Sequence, residues 1–439
     1  MSEKIAVFPT FPMDLEASES RIKIPAVGQR ATRSDARLHG LGQTQYIDDI
    51  SFPGMLYAKI KRAGIASARI LSIDTSEAEA MPGVLAVLTG REIPVNSFGP
   101  SLQDQPILAD EYVFHSGDGI AAVAALTEQI AESALEKIKV EYEPLPAVFD
   151  PLQAMQEDAH LVHPPKSNIY ASKIITKGDV AAAFASADHI FENQYSTQMV
   201  EHVPIEPHAA IAMWDANGRV SIYSSLGRIT LGRADVARTL QLPLNRVRII
   251  ATMVGGNFGG KNEITQEPIL ALLSKKTGRP VKGVFSRKEE FIASTTRHPF
   301  IMDYKTGVSK SGKILARKVR LVLDGGAYCS WSETTLGKAC ILSSGPYQID
   351  NVHVEAFAVY TNKTMAGAMR GFGAPQVCFA YESQMDEIAT SLNIDPLQIR
   401  LINAFEEGSS SPTGQVLNSV VLKNSLMQAA QRFGWKGRT

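Results

Sequence analysis

Val254-Gly255-Gly256-Asn257-Phe258-Gly259-Gly260-Lys261 places four glycines in six residues around a single Phe. Glycine reaches backbone conformations that a side chain forbids, and it leaves N–H groups open to a ligand. Such a loop can wrap around an anionic or chalcogen-rich group. Residues Arg246 to Thr252 before it read as a strand. Glu267 to Lys276 after it read as a helix, with Ile269, Leu272 and Leu273 on one face and Gly278 beyond its end. In isolation the segment reads equally well as a tight strand-to-helix turn.

Two further segments stand out. Ala368-Met369-Arg370-Gly371-Phe372-Gly373-Ala374-Pro375-Gln376 combines a planar, permanent cation with a Phe between two glycines. Glu201-His202-Val203-Pro204-Ile205-Glu206-Pro207 holds a His and a Glu four residues apart. With a Pro between them they make a poor metal site. The segment reads instead as a loop lining a site, with Glu206-Pro207 as its anchor.

Working outward, Met55 to Ile60, Ala68 to Asp74 and Val84 to Thr89 read as strands, with a short helix from Ser76. Gly119 to Leu126 is a short apolar run, read as a buried strand. Thr127 caps a helix from Glu128 to Lys137, and Ile138 to Tyr142 alternates as a half-buried strand. Pro144, Pro146 and Pro151 punctuate the end of this α+β unit. Beyond Gly178 a helix is predicted over Asp179 to Ala187 and another over Arg233 to Leu240. Strands are predicted over His189 to Thr197, Ala209 to Trp214, Val220 to Ser224, Lys282 to Ser286 and Leu315 to Leu323. The expected division is an extended lead-in over 1–33, an α/β domain over 34–160, and a mixed-sheet region over 161–439.

The length of 439 residues allows two or three domains. A net charge of -1 gives no global field toward nucleic acid or acidic membranes. No apolar run is long enough to span a bilayer, and Met1-Ser2-Glu3-Lys4-Ile5 lacks the layout of a secretion signal. A cytoplasmic location is expected. Cys329, Cys340 and Cys378 form no CxxC pair, so local cysteine spacing builds no iron–sulfur or zinc site. Neither a GxGxxG after a strand nor a P-loop occurs.

In order and separation, the glycine loop and the Arg370 segment resemble the molybdenum hydroxylases, the xanthine oxidase and aldehyde oxidase family. The likeness extends through Tyr46-Ile47-Asp48-Asp49-Ile50, Leu56 to Leu88, Pro106 to Pro151, Arg297-His298-Pro299 and Gly345-Pro346-Tyr347. It implies an α+β, multi-domain molybdopterin-binding subunit, with an N-terminal hammerhead-like domain and mixed-sheet cofactor-binding domains after it. It implies that Gly255, Gly256, Phe258, Gly259 and Arg370 contact a molybdenum-bearing pterin, of cytosine-dinucleotide form, and that Phe372 stacks on a planar substrate. No side chain would ligate the metal directly.

Val200 stands where xanthine-type members carry a Gln, Asn262 where they carry a purine-gripping Glu, and Lys338 where they carry an Arg. These substitutions favour an N-heteroaromatic, nicotinate-like substrate, with a purine or a non-catalytic scaffold role as alternatives. The family's catalytic Glu, in a Gly-rich loop beyond Arg370, has no counterpart before Thr439. A truncation or a subunit split between two polypeptides would account for this, and the split is favoured. The general-base Glu is then expected on a second molybdopterin subunit, and [2Fe-2S] clusters and FAD on further partner subunits.

Overall fold

The computed structural model describes residues 30–437. The expected lead-in therefore lies outside the described residues up to position 29. The described residues divide between two units at position 44, residues 30–44 in the first and 45–437 in the second. In the first, the described part holds a short helix, Ala36–Gly40, that buries none of its residues.

The larger unit mixes helices with two main sheets. A seven-stranded sheet runs in the order Val247–Ala251, Val220–Ser224, Ala209–Trp214, Val281–Val284, Leu56–Arg62, Gly119–Ala125 and Val84–Thr89. The central junction is parallel, with Leu56 opposite Val281, and joins the N-terminal α/β segment to strands much later in the chain. Gly119–Ala125 is buried at every position after its first, as an apolar strand with neighbours on both sides must be. Leu56, Ile60, Leu88, Ala122, Ala210, Ile222 and Val281 share one core with Leu270 and Leu273 of the helix Glu267–Thr277.

A five-stranded sheet runs in the order Ile169–Lys177, Asn351–Tyr360, Ile314–Gly326, Phe300–Val308 and His189–Thr197. Helices Ser332–Leu342, Ala374–Ser391 and Pro396–Asn403 cover it, packing Leu336, Val377, Ile388 and Ile399 against Tyr304, Leu321 and Val354. A small sheet of Tyr112–Val113, Ala68–Asp74 and Lys139–Pro144 completes the N-terminal part.

The expected elements lie near their predicted places, with shifted ends. The helix predicted from Arg233 begins at Ile229 and runs to Thr239. Gly232 is a weak helix former, and a Cβ there would stand 2.7 Å from Leu226 Cδ1, so a larger residue would have to displace that side chain. The strand predicted from Leu315 to Leu323 continues to Gly326. Thr127 caps the helix Glu128–Leu135 by accepting the Ile130 N–H. Among the described residues no helix is long and apolar enough to cross a membrane.

Candidate cofactor and substrate site

The strand Val247–Ala251 delivers the chain into the glycine loop. Gly256 and Gly259 both have φ of +110°, and Phe258 has φ of +52°. Asn257 organises the turn, its Oδ1 accepting the N–H groups of Gly259 at 2.9 Å and Lys261 at 3.1 Å. The N–H groups of Gly256, Asn257 and Phe258 have no hydrogen-bond partner among the described residues. Three consecutive open donors on a turn form a nest for an electron-rich group.

The loop is held by a buried ion pair. Lys261 is fully buried, and its Nζ donates to Glu206 Oε2 at 2.8 Å. The same oxygen accepts the Gly255 N–H at 2.8 Å, and the Glu206 N–H donates to the Gly255 carbonyl at 3.1 Å. Burial pulls the Lys261 ammonium below its ordinary pKa, and the bond it donates to Glu206 opposes that shift. Glu206 thus ties the Glu201–Pro207 segment to the glycine loop. A cavity of about 670 Å³ opens there, lined by Tyr46, Val203, Ile205, Glu206, Gly255, Gly256 and Phe258 among others.

The structure brings the glycine loop and the Arg370 segment together. The Arg370 N–H donates to the Phe258 carbonyl at 2.8 Å. A Cβ on Gly259 would stand 2.5 Å from the Ala368 carbonyl oxygen, so the two backbones meet with no room for a side chain. His202 is wedged at the same junction. Its Nε2 lies 2.8 Å from the Ala368 carbonyl, its Nδ1 lies 3.1 Å from the Thr295 carbonyl, and a Cβ on Gly260 would stand 3.0 Å from its ring. Burial lowers its pKa, an effect opposed by the Ala368 carbonyl. This His is a structural wedge. Among the described residues no group of three or more His, Cys, Asp or Glu side chains is arranged to hold a metal ion.

Arg370 is exposed and its guanidinium has no partner among the described residues. Phe372, at φ +47°, is half-buried and meets Trp331 edge-on with ring centroids 6.3 Å apart. Gly373 follows at φ +82°, where a Cβ would meet the Thr335 carbonyl at 2.7 Å. The helix Ser332–Leu342, which carries Lys338, is therefore packed against this loop. Lys338 itself is exposed and unpaired among the described residues. Asn262 is half-buried at the end of the glycine loop. Val200 pairs with Arg297 in a two-stranded ladder, and the Thr296 carbonyl of that ladder accepts the Gly367 N–H just before the Arg370 loop. Arg370, Phe372, Lys338, Asn262 and Val200 lie around the loops but do not line the 670 Å³ cavity.

Several residues that sequence patterns did not single out complete the site. Lys261 closes the quoted glycine loop with no role assigned from the sequence, and it is fully buried. Trp331 stands between the Ile314–Gly326 strand and the next helix, with its Nε1 buried and unpartnered. Glu263 is buried and bonded by Ser330 Oγ, while its Oε2 has no partner. Burial pushes the Glu263 carboxyl up to about 7, against the bond from Ser330. Glu206 Oε1, Arg297 Nη1, Thr335 Oγ1 and Gln376 Oε1 are also buried without partners. Buried polar groups are normally satisfied. Their concentration around two glycine-bearing loops, one with an open N–H nest, fits a large polar cofactor bound here.

Comparison with known proteins gives the class. Residues 162–404 match the molybdopterin cofactor-binding domain, and residues 41–146 match the aldehyde oxidase and xanthine dehydrogenase a/b hammerhead domain. The chain belongs to the molybdenum hydroxylase family of xanthine dehydrogenases and aldehyde oxidases, as one of its molybdopterin-binding subunits. It is 40% identical over 408 residues to the nicotinate dehydrogenase large molybdopterin subunit of Eubacterium barkeri, covering 92% of this chain and 96% of that one. It is 34% identical over 426 residues to the xanthine dehydrogenase molybdenum-binding subunit of Escherichia coli O157:H7, covering 92% of this chain but 56% of that one. Its structure superposes on the aldehyde oxidoreductase of Desulfovibrio gigas with a TM-score of 0.89 and 33% identity, over 93% of this chain and 46% of that one. For quinoline 2-oxidoreductase of Pseudomonas putida 86 the TM-score is 0.87 and the identity 28%, over 93% and 54% of the two chains. The chain thus spans nearly all of one relative and about half of the others.

Proposed function

We infer that this chain is the larger half of a split molybdenum subunit in a hydroxylase acting on an N-heteroaromatic ring, with a nicotinate-like substrate favoured. The observation that carries this reading is the junction of the two loops, where the Phe258 carbonyl takes the Arg370 N–H beside three open backbone donors. Gly255, Gly256, Phe258 and Gly259 would hold the electron-rich side of the pterin. Arg370 offers it a permanent positive charge with free donors. When bound, this group supplies the two-electron oxidation of the ring carbon and the water-derived oxygen. Phe372 gives the substrate a flat platform. Asn262, Val200 and Lys338 form the surrounding substrate side. The Glu206–Lys261 pair and the His202 wedge fix the donors before anything binds.

Likeness over 96% of the nicotinate dehydrogenase chain, against 56% of the xanthine dehydrogenase chain, supports a partner molybdopterin chain. That partner supplies the general-base Glu. Iron–sulfur and FAD subunits, a cytosine-dinucleotide pterin, a cytoplasmic location and the division at residue 160 belong to the same reading. The test is to purify the tagged chain from its native host, identify what accompanies it, assay molybdenum and run a panel of pyridines and purines. Stoichiometric molybdenum, a second molybdopterin chain and turnover of carboxylated pyridines are expected. Turnover by this polypeptide alone would defeat the split, and a metal-free complex would defeat the enzyme.

A further inference from the structure

The turn between the strand Val220–Ser224 and the helix Ile229–Thr239 is pinned to the end of the glycine loop. The Gly227 N–H donates to the Lys261 carbonyl at 2.7 Å. A Cβ on Gly227 would stand 1.8 Å from Asn257 Nδ2 and 3.2 Å from Asn262 Oδ1. Only glycine allows this approach, and it fixes where the next residue, Arg228, departs. The Arg228 guanidinium lies over the Trp331 ring, 4.6 Å from its centroid. Trp331 in turn meets the edge of Phe372.

A free cation, an indole and the proposed substrate platform therefore form one continuous row. Stacking uses the face of a guanidinium and leaves its in-plane N–H donors open. Arg228 is exposed and has no hydrogen bond or ion pair among the described residues. Of the nearby cations, Lys261 is engaged by Glu206 and Arg287 by the Pro204 carbonyl, while Arg370, free at its guanidinium among the described residues, is the one assigned above to the cofactor. Lys338 is free but has no ring contact to Trp331 or Phe372.

We propose that Arg228, held on Trp331, is a specificity-determining residue that reads a carboxylate on a flat ring lying against Phe372. This rests on the heteroaromatic hydroxylase reading and names the cation that selects its substrate. A planar fork suits a carboxylate by two parallel N–H bonds, which a lysine cannot provide. Losing a charge-assisted contact of this kind corresponds to roughly ten- to hundredfold in affinity.

The experiment uses the intact complex carrying Arg228→Met, Arg228→Lys or Lys338→Met. The first readout is the ratio of kcat/KM for pyridine-3-carboxylate to that for pyridine-3-carboxamide. The second is calorimetric binding of benzoate against benzamide, which needs no turnover. Arg228→Met is expected to lower both ratios by roughly ten- to hundredfold, and Arg228→Lys to recover part of the loss. Unchanged ratios in Arg228→Met, or a loss confined to Lys338→Met, would overturn the assignment. If the molybdenum-replete complex turns over no heteroaromatic ring, the functional reading fails. The benzoate measurement then still decides on Arg228, supporting it if binding weakens in Arg228→Met and refuting it if binding is unchanged.

Discussion

Replacing Lys261 by Met tests how the glycine loop keeps its shape. Lys261 is 0% exposed and Glu206 sits beneath it, also shielded from water. In the native loop, Glu206 Oε2 takes two bonds, from Lys261 Nζ and from Gly255 N, and Oε1 takes none. Lys261→Met fits the space but leaves a buried carboxylate with a single backbone donor. Breaking one side of a buried pair costs about 3–5 kcal/mol, mostly from the charge left behind. Lys261→Met/Glu206→Gln removes both charges and keeps an acceptor for Gly255. The double variant is expected to recover most of the loss, with a coupling energy on the order of 3 kcal/mol.

Hydrogen exchange at the amides of 255–261, followed by mass spectrometry in the purified complex, reads this locally. At about 1.4 kcal/mol per factor of ten, Lys261→Met should speed exchange there by two to three orders of magnitude. Molybdenum content should fall in parallel. If exchange in the single variant matches wild type, or the double variant is worse than the single, the ion pair does not hold the loop.

Two other perturbations probe neighbouring groups. Gly259→Ala puts a Cβ at φ +110° and 2.5 Å from the Ala368 oxygen, so the loops must part by roughly 0.9 Å to restore ordinary contact. Overpacking of this kind costs about 1–3 kcal/mol. Loss of bound molybdenum with unchanged far-ultraviolet circular dichroism is expected, and full retention would refute the tight junction. Glu263, raised from an ordinary 4.5 to about 7, gives stability that is fully present below pH 4.5 and is lost as pH rises to about 7, on the order of 3 kcal/mol in all. His298 acts oppositely, since burial lowers it to about 3, so its contribution is lost as pH falls from 6.5 toward 3. Urea midpoints across pH 4.5–7 should therefore decline less with rising pH in Glu263→Gln than in wild type. Identical slopes would remove the buried acid.

The elements with regular patterns were legible in the residues. Gly119–Ala125 is an apolar run because both its edges are paired, and Gly278 ends its helix in the left-handed region, as a C-terminal glycine should. The burial of polar side chains inside such elements was not. The helix Ala374–Ser391 buries Gln384, which bonds Asn193, Thr306 and the Tyr304 carbonyl, so its apolar stripe is interrupted. Arg317 is fully buried in a central strand, donating to Thr306 and the Ser344 carbonyl and making no salt bridge among the described residues. A residue-by-residue hydropathy reading places both on the surface. The burial of Lys261 is hidden for the same reason, and the role of Arg228 because its ring partner lies about a hundred positions away in the chain.

That distance dependence explains why the glycine loop reads as a turn in isolation and as a site in the fold. Gly260 packs on His202 and its carbonyl contacts His208; Lys261 bonds Glu206 and Gly227; Glu263 bonds Ser330; Phe258 bonds Arg370. Each partner comes from a distant segment, and none has an i,i+3 or i,i+4 relation that a local pattern would show. A loop of glycines has little stiffness of its own, because glycine gives up the most conformational freedom on ordering. Beyond the two N–H bonds that Asn257 Oδ1 accepts within the turn, open donors held at fixed positions must therefore take their rigidity from outside the loop. Here it comes from one buried ion pair, one imidazole wedge and a backbone bond between the two loops. A change at His202, which lies outside the loop at its junction with the Arg370 segment, should accordingly disturb the Gly256–Phe258 donors as much as a change in the loop itself.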